Sequence, residues 1–137
     1  MITGTGGNCG NQSSVAVIRG LSLDEIAFSD IFEVFWKESR VAVVCGIMLS
    51  IGNFVKLLLV DRWLMHNPEV TVQVAIVICL TLICTVFCAK VVGCLLPLLA
   101  EKIGLDPAVM AAPFITTIVD VLSLVIYFQF ALRMLDL

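Results

Sequence analysis

Three long stretches of sequence with almost no charge constrain the fold of this chain. Residues 41–60 are interrupted only by Asn53 and Lys56, residues 70–89 carry no charge, and residues 107–132 carry one, Asp120. A helix needs about 20 mostly apolar residues, at ~1.5 Å rise each, to cross a bilayer. The chain is 61% hydrophobic and 14% charged. The interior of a small soluble domain is too small to bury so large a share of apolar residues. We predict an all-α integral membrane protein with three full transmembrane helices.

Two further segments precede these spans. Residues 2–21 contain five glycines, and glycine disfavours helix interiors by roughly 0.5–1 kcal/mol. We therefore predict a glycine-rich half-helix that is too short and too polar to span alone. Residues 22–38 begin with Ser22 and Glu25 in the spacing of a capping box, and aromatic and aliphatic side chains recur on one side. This pattern predicts an amphipathic helix that lies in the membrane surface.

Basic residues give the orientation of the predicted spans, 38–63, 69–99 and 107–134. One side of the membrane receives Arg19, Lys37, Arg40 and Lys102, and the other receives Arg62 and Arg133. The positive-inside tendency places the first group in the cytoplasm. The net charge of −3 and the lack of a basic patch argue against a nucleic-acid partner. The single histidine, His66, falls in a polar loop where we expect it to be solvated, and no catalytic motif occurs, so we predict that the chain is not an enzyme.

Asp120 is the strongest candidate for a functional residue. An ionised aspartate at the centre of a bilayer costs about 2.5–3.5 kcal/mol, so it needs a partner, a cavity or an ion. Pro113, Thr116 and Thr117 precede it by seven, four and three residues, which places them on the same helix face. Two other interpretations remain: Asp120 is neutral and hydrogen-bonded to a neighbouring helix, or it pairs with Lys90.

Oxygen-bearing side chains form a second candidate region near the N-terminus. Asn8 and Asn11 offer amide oxygens, and Gly10 lets the backbone approach a ligand closely. Hard cations such as Mg²⁺ prefer oxygen ligands, although a Gly/Asn cluster alone is also typical of a flexible turn. Asp106 before Pro107 is typical of a helix cap, with a metal role as the alternative. We expect the cysteines to serve in packing, since they form no C-x-x-C pair.

Several motifs together resemble the membrane domain of the MgtE family of magnesium transporters. They are TGGNCGNQSSVAVIRGL at 5–21, LPLL at 96–99 and GLDPAVMAAPFITTIVDVL at 104–122. The last combines DPA, PFITT and a mid-helix aspartate at a consistent spacing. The resemblance covers residues 1–137, which would form a partial MgtE-type transmembrane domain. Against the family pattern, this partial domain lacks the first helix, most of the second and the cytoplasmic regulatory domains.

The resemblance implies a function and a set of site residues. It implies passage of Mg²⁺ through a pore at a homodimer interface in the cell membrane, here a bacterial plasma membrane with lipid around a multi-pass protein. Asp120 would meet the hydrated ion, Thr116 would contribute a backbone carbonyl, and Asp106 would serve a further Mg²⁺ site near the cytoplasmic mouth. Asn8, Gly10, Asn11, Pro113 and Thr117 would line or support the pore.

Departures from the family pattern leave an alternative function open. The missing helices and regulatory domains would come from the full-length chain; otherwise the chain is a non-transporting membrane assembly or regulatory subunit. Lys90 is also unlike the uncharged character of the family at this span. A fixed cation facing the pore would repel Mg²⁺, so we predict that Lys90 points elsewhere.

Overall fold

Four long α-helices form the chain, in a computed structural model that describes residues 1–64 and 71–135. Helix α1 covers Ile2–Ser22, α2 covers Ile31–Lys56 and continues as a π-helical segment over Leu57–Leu64, α3 covers Val72–Lys102, and α4 covers Pro107–Met134. Three helical stretches are long and apolar enough to cross a membrane, at Phe28–Trp63, Val72–Lys102 and Ala112–Met134. The predicted all-α architecture with three spans is therefore confirmed. His66 lies outside the described residues.

Helix α3 is the centre of the bundle. It packs against each of the other three long helices, and its apolar stretch is the most deeply buried of the three candidate spans. Between α2 and α3 the Ser50 hydroxyl donates to the Cys79 carbonyl at 3.0 Å, and the Cys79 thiol donates to the Ser50 carbonyl at 3.4 Å. These reciprocal bonds satisfy polar groups that lipid could not satisfy.

The glycine-rich segment forms a helix longer than the predicted half-helix, and it is not among the stretches apolar enough to span a membrane, as predicted. Helix α1 has 21 residues, which gives a length of about 30 Å at ~1.5 Å per residue. Gly6, Gly7 and Gly10 are buried where α1 packs against α3 and α4. The intrinsic preference of glycine was outweighed because the missing side chains let the helix backbones approach closely.

The segment 22–38 does not form a separate interfacial helix, which corrects a second prediction. The Ser22 hydroxyl donates to the Ile18 carbonyl at 2.9 Å, so Ser22 ends α1 instead of capping a new helix. A turn with Asp24 at φ 55° follows, and the Asp30 carboxylate accepts the Ala27 N–H at 2.9 Å just before α2 begins. Helix α2 then runs without a break into the first span.

The two cytoplasmic turns predicted from the basic residues lie at the same end of the bundle. The Lys102 ammonium sits 4.1 Å from the centroid of the Phe28 ring, which joins the end of α3 to the turn between α1 and α2. Helices α1 and α3 therefore run in the same direction, and α2 and α4 run opposite to them. This arrangement matches the alternation that the distribution of basic residues predicted.

Candidate ion-binding site

The N-terminus of α4 is capped by Asp106. One carboxylate oxygen accepts the Ala108 N–H at 2.8 Å, and Pro107 occupies the first helical turn, where a missing N–H has no cost. The predicted helix cap is confirmed. Asp106 is exposed, and it precedes Asp120 by 14 residues, or about 21 Å along the helix at ~1.5 Å per residue. The two carboxylates therefore cannot share one ion within a single chain, and a metal role for Asp106 stays a prediction.

Asp120 lies at the edge between the buried and the outer face of α4. Ile115, Val119 and Ser123 form the buried face, whereas Val121 is 57% exposed and Asp120 is half-buried. Among the described residues, no hydrogen bond or ion pair reaches the Asp120 carboxylate. The interpretation of Asp120 as a carboxyl group hydrogen-bonded to a neighbouring helix thus finds no partner in 1–64 or 71–135.

The predicted companions of Asp120 surround it on the outer face of α4. Pro113, Thr116 and Thr117 are all exposed. The Thr116 hydroxyl donates to the Ala112 carbonyl at 3.0 Å, and the Thr117 hydroxyl donates to the Pro113 carbonyl at 2.9 Å. Because each hydroxyl uses its single proton within the helix, its oxygen lone pairs are left to accept hydrogen bonds. Such oxygens suit the water molecules that a hydrated cation carries.

Helix α1 brings part of the glycine/asparagine segment to this side of α4. A methyl group built on Gly7 would lie 3.9 Å from the Thr116 methyl group, one turn from Asp120. Asn11 lines a groove with Ala108 and Ala112 of α4, and its side-chain oxygen is buried without a hydrogen-bond partner among the described residues. The structure thus brings Asn11 and Thr116 to the same junction of two helices.

The other two predicted members of the segment lie elsewhere. Asn8 is exposed on the outer side of α1. Gly10 is buried between α3 and α4, where an added side chain would meet the Ala89 carbonyl oxygen at 2.9 Å and the Ile115 side chain at 2.8 Å. Gly10 therefore contributes close helix packing and presents no surface of its own to a ligand.

Lys90 does not pair with Asp120. Its ammonium lies 3.1 Å from a carboxylate oxygen of Glu38 on α2 and 2.9 Å from the Ser13 hydroxyl on α1. It is therefore held where α1, α2 and α3 meet, away from the outer face of α4. Sequence reasoning missed this contact because it assigned Glu38 to a surface helix. The signal that could have found it is a single basic residue, deep in a span, which needs an acidic partner.

Comparisons with known proteins point to one kind of function. The family model MgtE, described as a divalent cation transporter, matches residues 1–130. The magnesium transporter MgtE of Thermus thermophilus is 35% identical over 136 residues, which cover 99% of this chain and 28% of that protein. The magnesium transporter MgtE of Enterococcus faecalis is 34% identical over 131 residues, covering 96% of this chain and 27% of that protein. The magnesium transporter MgtE of Bacillus subtilis is 31% identical over 135 residues, covering 96% of this chain and 27% of that protein. The chain spans about 28% of the length of the curated relatives it matches.

Proposed function

The chain belongs to the MgtE family of divalent cation transporters, and from that premise we propose that it takes part in the passage of Mg²⁺ across the membrane, with Asp120 as the residue that meets the ion. Membership in a transporter family confirms that the chain is not an enzyme, and its three apolar spans agree with a multi-pass membrane protein. The proposal concerns the path of the ion, the residues that meet it and the assembly that forms it.

One observation carries the proposal. Asp120 is the only Asp, Glu, Lys, Arg or His between Pro107 and Leu132, it is half-buried, and its carboxylate has no partner among the described residues. Such a group is costly in a bilayer, by about 2.5–3.5 kcal/mol, unless something outside the described chain compensates it. A divalent cation that keeps its water shell would do so, because the waters can donate to both the carboxylate and the free lone pairs of Thr116 and Thr117.

A second copy of the chain supplies the other wall of the proposed path. A two-fold axis beside the outer face of α4 would place two Asp120 carboxylates opposite each other, because a symmetric dimer uses the same patch on both subunits. Thr116 and Pro113 would then lie on both walls, and Asn11 would face the same space from α1. Asp106 would lie at the cytoplasmic mouth. The membrane potential drives such passage with about 2.3 kcal/mol per charge per 100 mV, roughly twice that for a divalent ion.

The test is Mg²⁺ uptake into liposomes that contain the full-length protein, with a Mg²⁺-sensitive dye inside. Asp120→Asn keeps the size of the side chain and removes its charge, and we expect the initial rate to fall at least tenfold. Asp61→Asn is the matched control, because Asp61 lies at the end of the bundle opposite Asp106 and already has a partner, the half-exposed Lys56. Undiminished flux in Asp120→Asn would remove this residue from the mechanism.

A non-transporting assembly or regulatory role is the second candidate. The observation that favours it is the share of the relatives that the chain covers, about 28%. Reconstituting residues 1–137 alone discriminates between the two roles. Mg²⁺ flux from this chain would reject the second role, and flux that appears only after a further membrane segment is added would support it.

A further inference from the structure

A buried polar cluster joins three helices on the side of α1 that faces away from the outer face of α4. We call Ser13, Glu38 and Lys90 the triad. The Lys90 ammonium contacts Glu38 at 3.1 Å and donates to the Ser13 hydroxyl at 2.9 Å, and that hydroxyl donates to the same Glu38 oxygen at 2.5 Å. The side chains of Lys90 and Glu38 are 8% and 14% exposed, and Ser13 is 2% exposed. The transport site proposed above uses none of the three.

The geometry points to Lys90 as a positioning residue for α1: we propose that the triad fixes the depth and rotation of this helix, and through it the place of Asn11 beside α4. The effect on transport rests on the proposed function, whereas the effect on helix placement does not. Lys90 and Glu38 provide the fixed frame, since α3 and α2 are joined independently by the reciprocal Ser50 and Cys79 bonds. Ser13 is the point at which α1 is attached to that frame.

The triad gives α1 a directional contact near its middle, between a glycine-rich first half and an apolar second half. In the described part of the chain, the triad provides the side-chain hydrogen bonds that link α1 to another helix, while the Thr5 and Ser22 hydroxyls bond within α1. The first half of α1 meets α3 and α4 through Gly6, Gly7 and Gly10, which allow close approach and offer no side chain to interlock, whereas Val17 and Ile18 pack into apolar clusters nearer its end. Helix α1 also falls outside the stretches apolar enough to count as membrane spans.

The position of Asn11 follows directly from that of Ser13. The two residues are two apart on one helix, so a shift or rotation of α1 at Ser13 moves Asn11 by the same amount. Asn11 shares its groove with Ala112, and the Ala112 carbonyl accepts the Thr116 hydroxyl. A change in the triad is thus transmitted to the junction beside Thr116 without any direct contact between Lys90 and the ion.

A double substitution separates positioning from stability. Replacing one partner would leave a buried charge without compensation and would destabilise the protein for that reason alone. Lys90→Met with Glu38→Met removes both charges and keeps similar side-chain volumes, a change that is commonly neutral or stabilising. The swapped pair, Lys90→Glu with Glu38→Lys, keeps both charges. Lys56→Met with Asp61→Met is the matched control, because it removes an ion pair with a 2.7 Å contact, its lysine half-exposed, that lies far from Ser13.

Cysteine cross-linking of the full-length protein, with its native cysteines replaced, reads the position of α1 directly. Single cysteines at Asn11, Ser14, Val15 or Ile18 are each combined with Ala112→Cys, since all of these residues line one groove. We expect the parent protein to favour one pair. In the double Met variant we expect the cross-linking rate of that pair to fall at least threefold and the cross-linking rates of the neighbouring pairs to rise. We also expect Mg²⁺ uptake to fall at least fivefold and the thermal midpoint not to be lowered. The swapped variant should recover at least half of the uptake.

Each result has a distinct meaning. An unchanged cross-linking pattern in the double Met variant overturns the proposal, as does an equal change in the Lys56/Asp61 control. A changed pattern with unchanged uptake overturns the link between α1 placement and transport. If the parent protein shows no Mg²⁺ uptake, the proposed function fails, and the cross-linking pattern still decides whether Lys90 positions α1.

Discussion

The contact between Gly93 and Gly10 allows a direct test of how α1 is seated on α3. A Cβ atom added at Gly93 would lie 2.9 Å from the Gly10 carbonyl carbon and 3.0 Å from its Cα, and closer still to its carbonyl oxygen. These atoms are backbone, so no side-chain rotation relieves the overlap, and Gly93→Ala must push the two helices apart. Overpacking costs about 1–3 kcal/mol, and a backbone obstacle places this substitution at the upper end. Alanine returns about 1 kcal/mol through its helix propensity. We therefore expect the free energy of unfolding to fall by about 2 kcal/mol.

The assay is reversible unfolding of the full-length protein in mixed micelles, followed by far-ultraviolet circular dichroism. Gly52→Ala is the matched control, because Gly52 lies inside α2 and an added Cβ meets no atom within 4 Å. We expect that control to be neutral or more stable by up to about 1 kcal/mol. The reasoning is refuted if Gly93→Ala and Gly52→Ala shift the free energy of unfolding equally. Close backbone approach would then not be what holds α1 against α3.

Two further substitutions test single hydrogen bonds. Asp106→Ala should lower the free energy of unfolding by about 1 kcal/mol by removing the cap on α4, whereas Asp106→Ser should keep the cap. If Asp106 also meets Mg²⁺, Mg²⁺ uptake into liposomes falls in both variants. Uptake retained by Asp106→Ser would assign the residue to the cap alone. Ser50→Ala should lower the free energy of unfolding by about 1 kcal/mol in the micelle assay, because it removes the 3.0 Å hydrogen bond from the Ser50 hydroxyl to the Cys79 carbonyl. An unchanged free energy would show that this bond does not hold α2 to α3.

The spans and the cap were predictable from local sequence because each depends on one short-range property. Hydropathy over about 20 residues identified the three spans, and the Asp106–Pro107 pair identified the start of α4. The position of Asp120 deep in a charge-free helix was equally clear. None of these inferences required knowledge of which helices touch.

The errors differ in origin: those on the glycines and on Lys90 depended on contacts distant in sequence, and the one on Ser22 depended on a local turn. The glycines of α1 looked unfavourable for a helix, since their benefit arises only when Thr85, Ile115 and the α3 backbone occupy the space that side chains would fill. Ser22 matched a capping pattern, but the Gly20 carbonyl accepts the backbone N–H groups of Glu25 and Ile26 at 2.9 and 3.2 Å and closes a turn there. Glu38, the partner of Lys90, is 52 residues away in sequence, and no local pattern predicts that the two residues pair.

Two charged residues deep in apolar helices, Lys90 and Asp120, differ in how they are compensated, and this difference bears on the proposed path. Lys90 meets an acidic partner and a hydroxyl within its own chain, so its charge is neutralised locally. Asp120 lies half-buried at the edge of the outer face of α4, without a hydrogen bond or ion pair among the described residues, and the nearby Thr116 and Thr117 hydroxyls spend their protons within the helix. A symmetric second copy alone would add electrostatic repulsion at Asp120, because it would bring another carboxylate and more acceptors to the same place. A hydrated cation would relieve both the repulsion and the surplus of acceptors, so on the proposed arrangement the transported ion would complete the dimer interface.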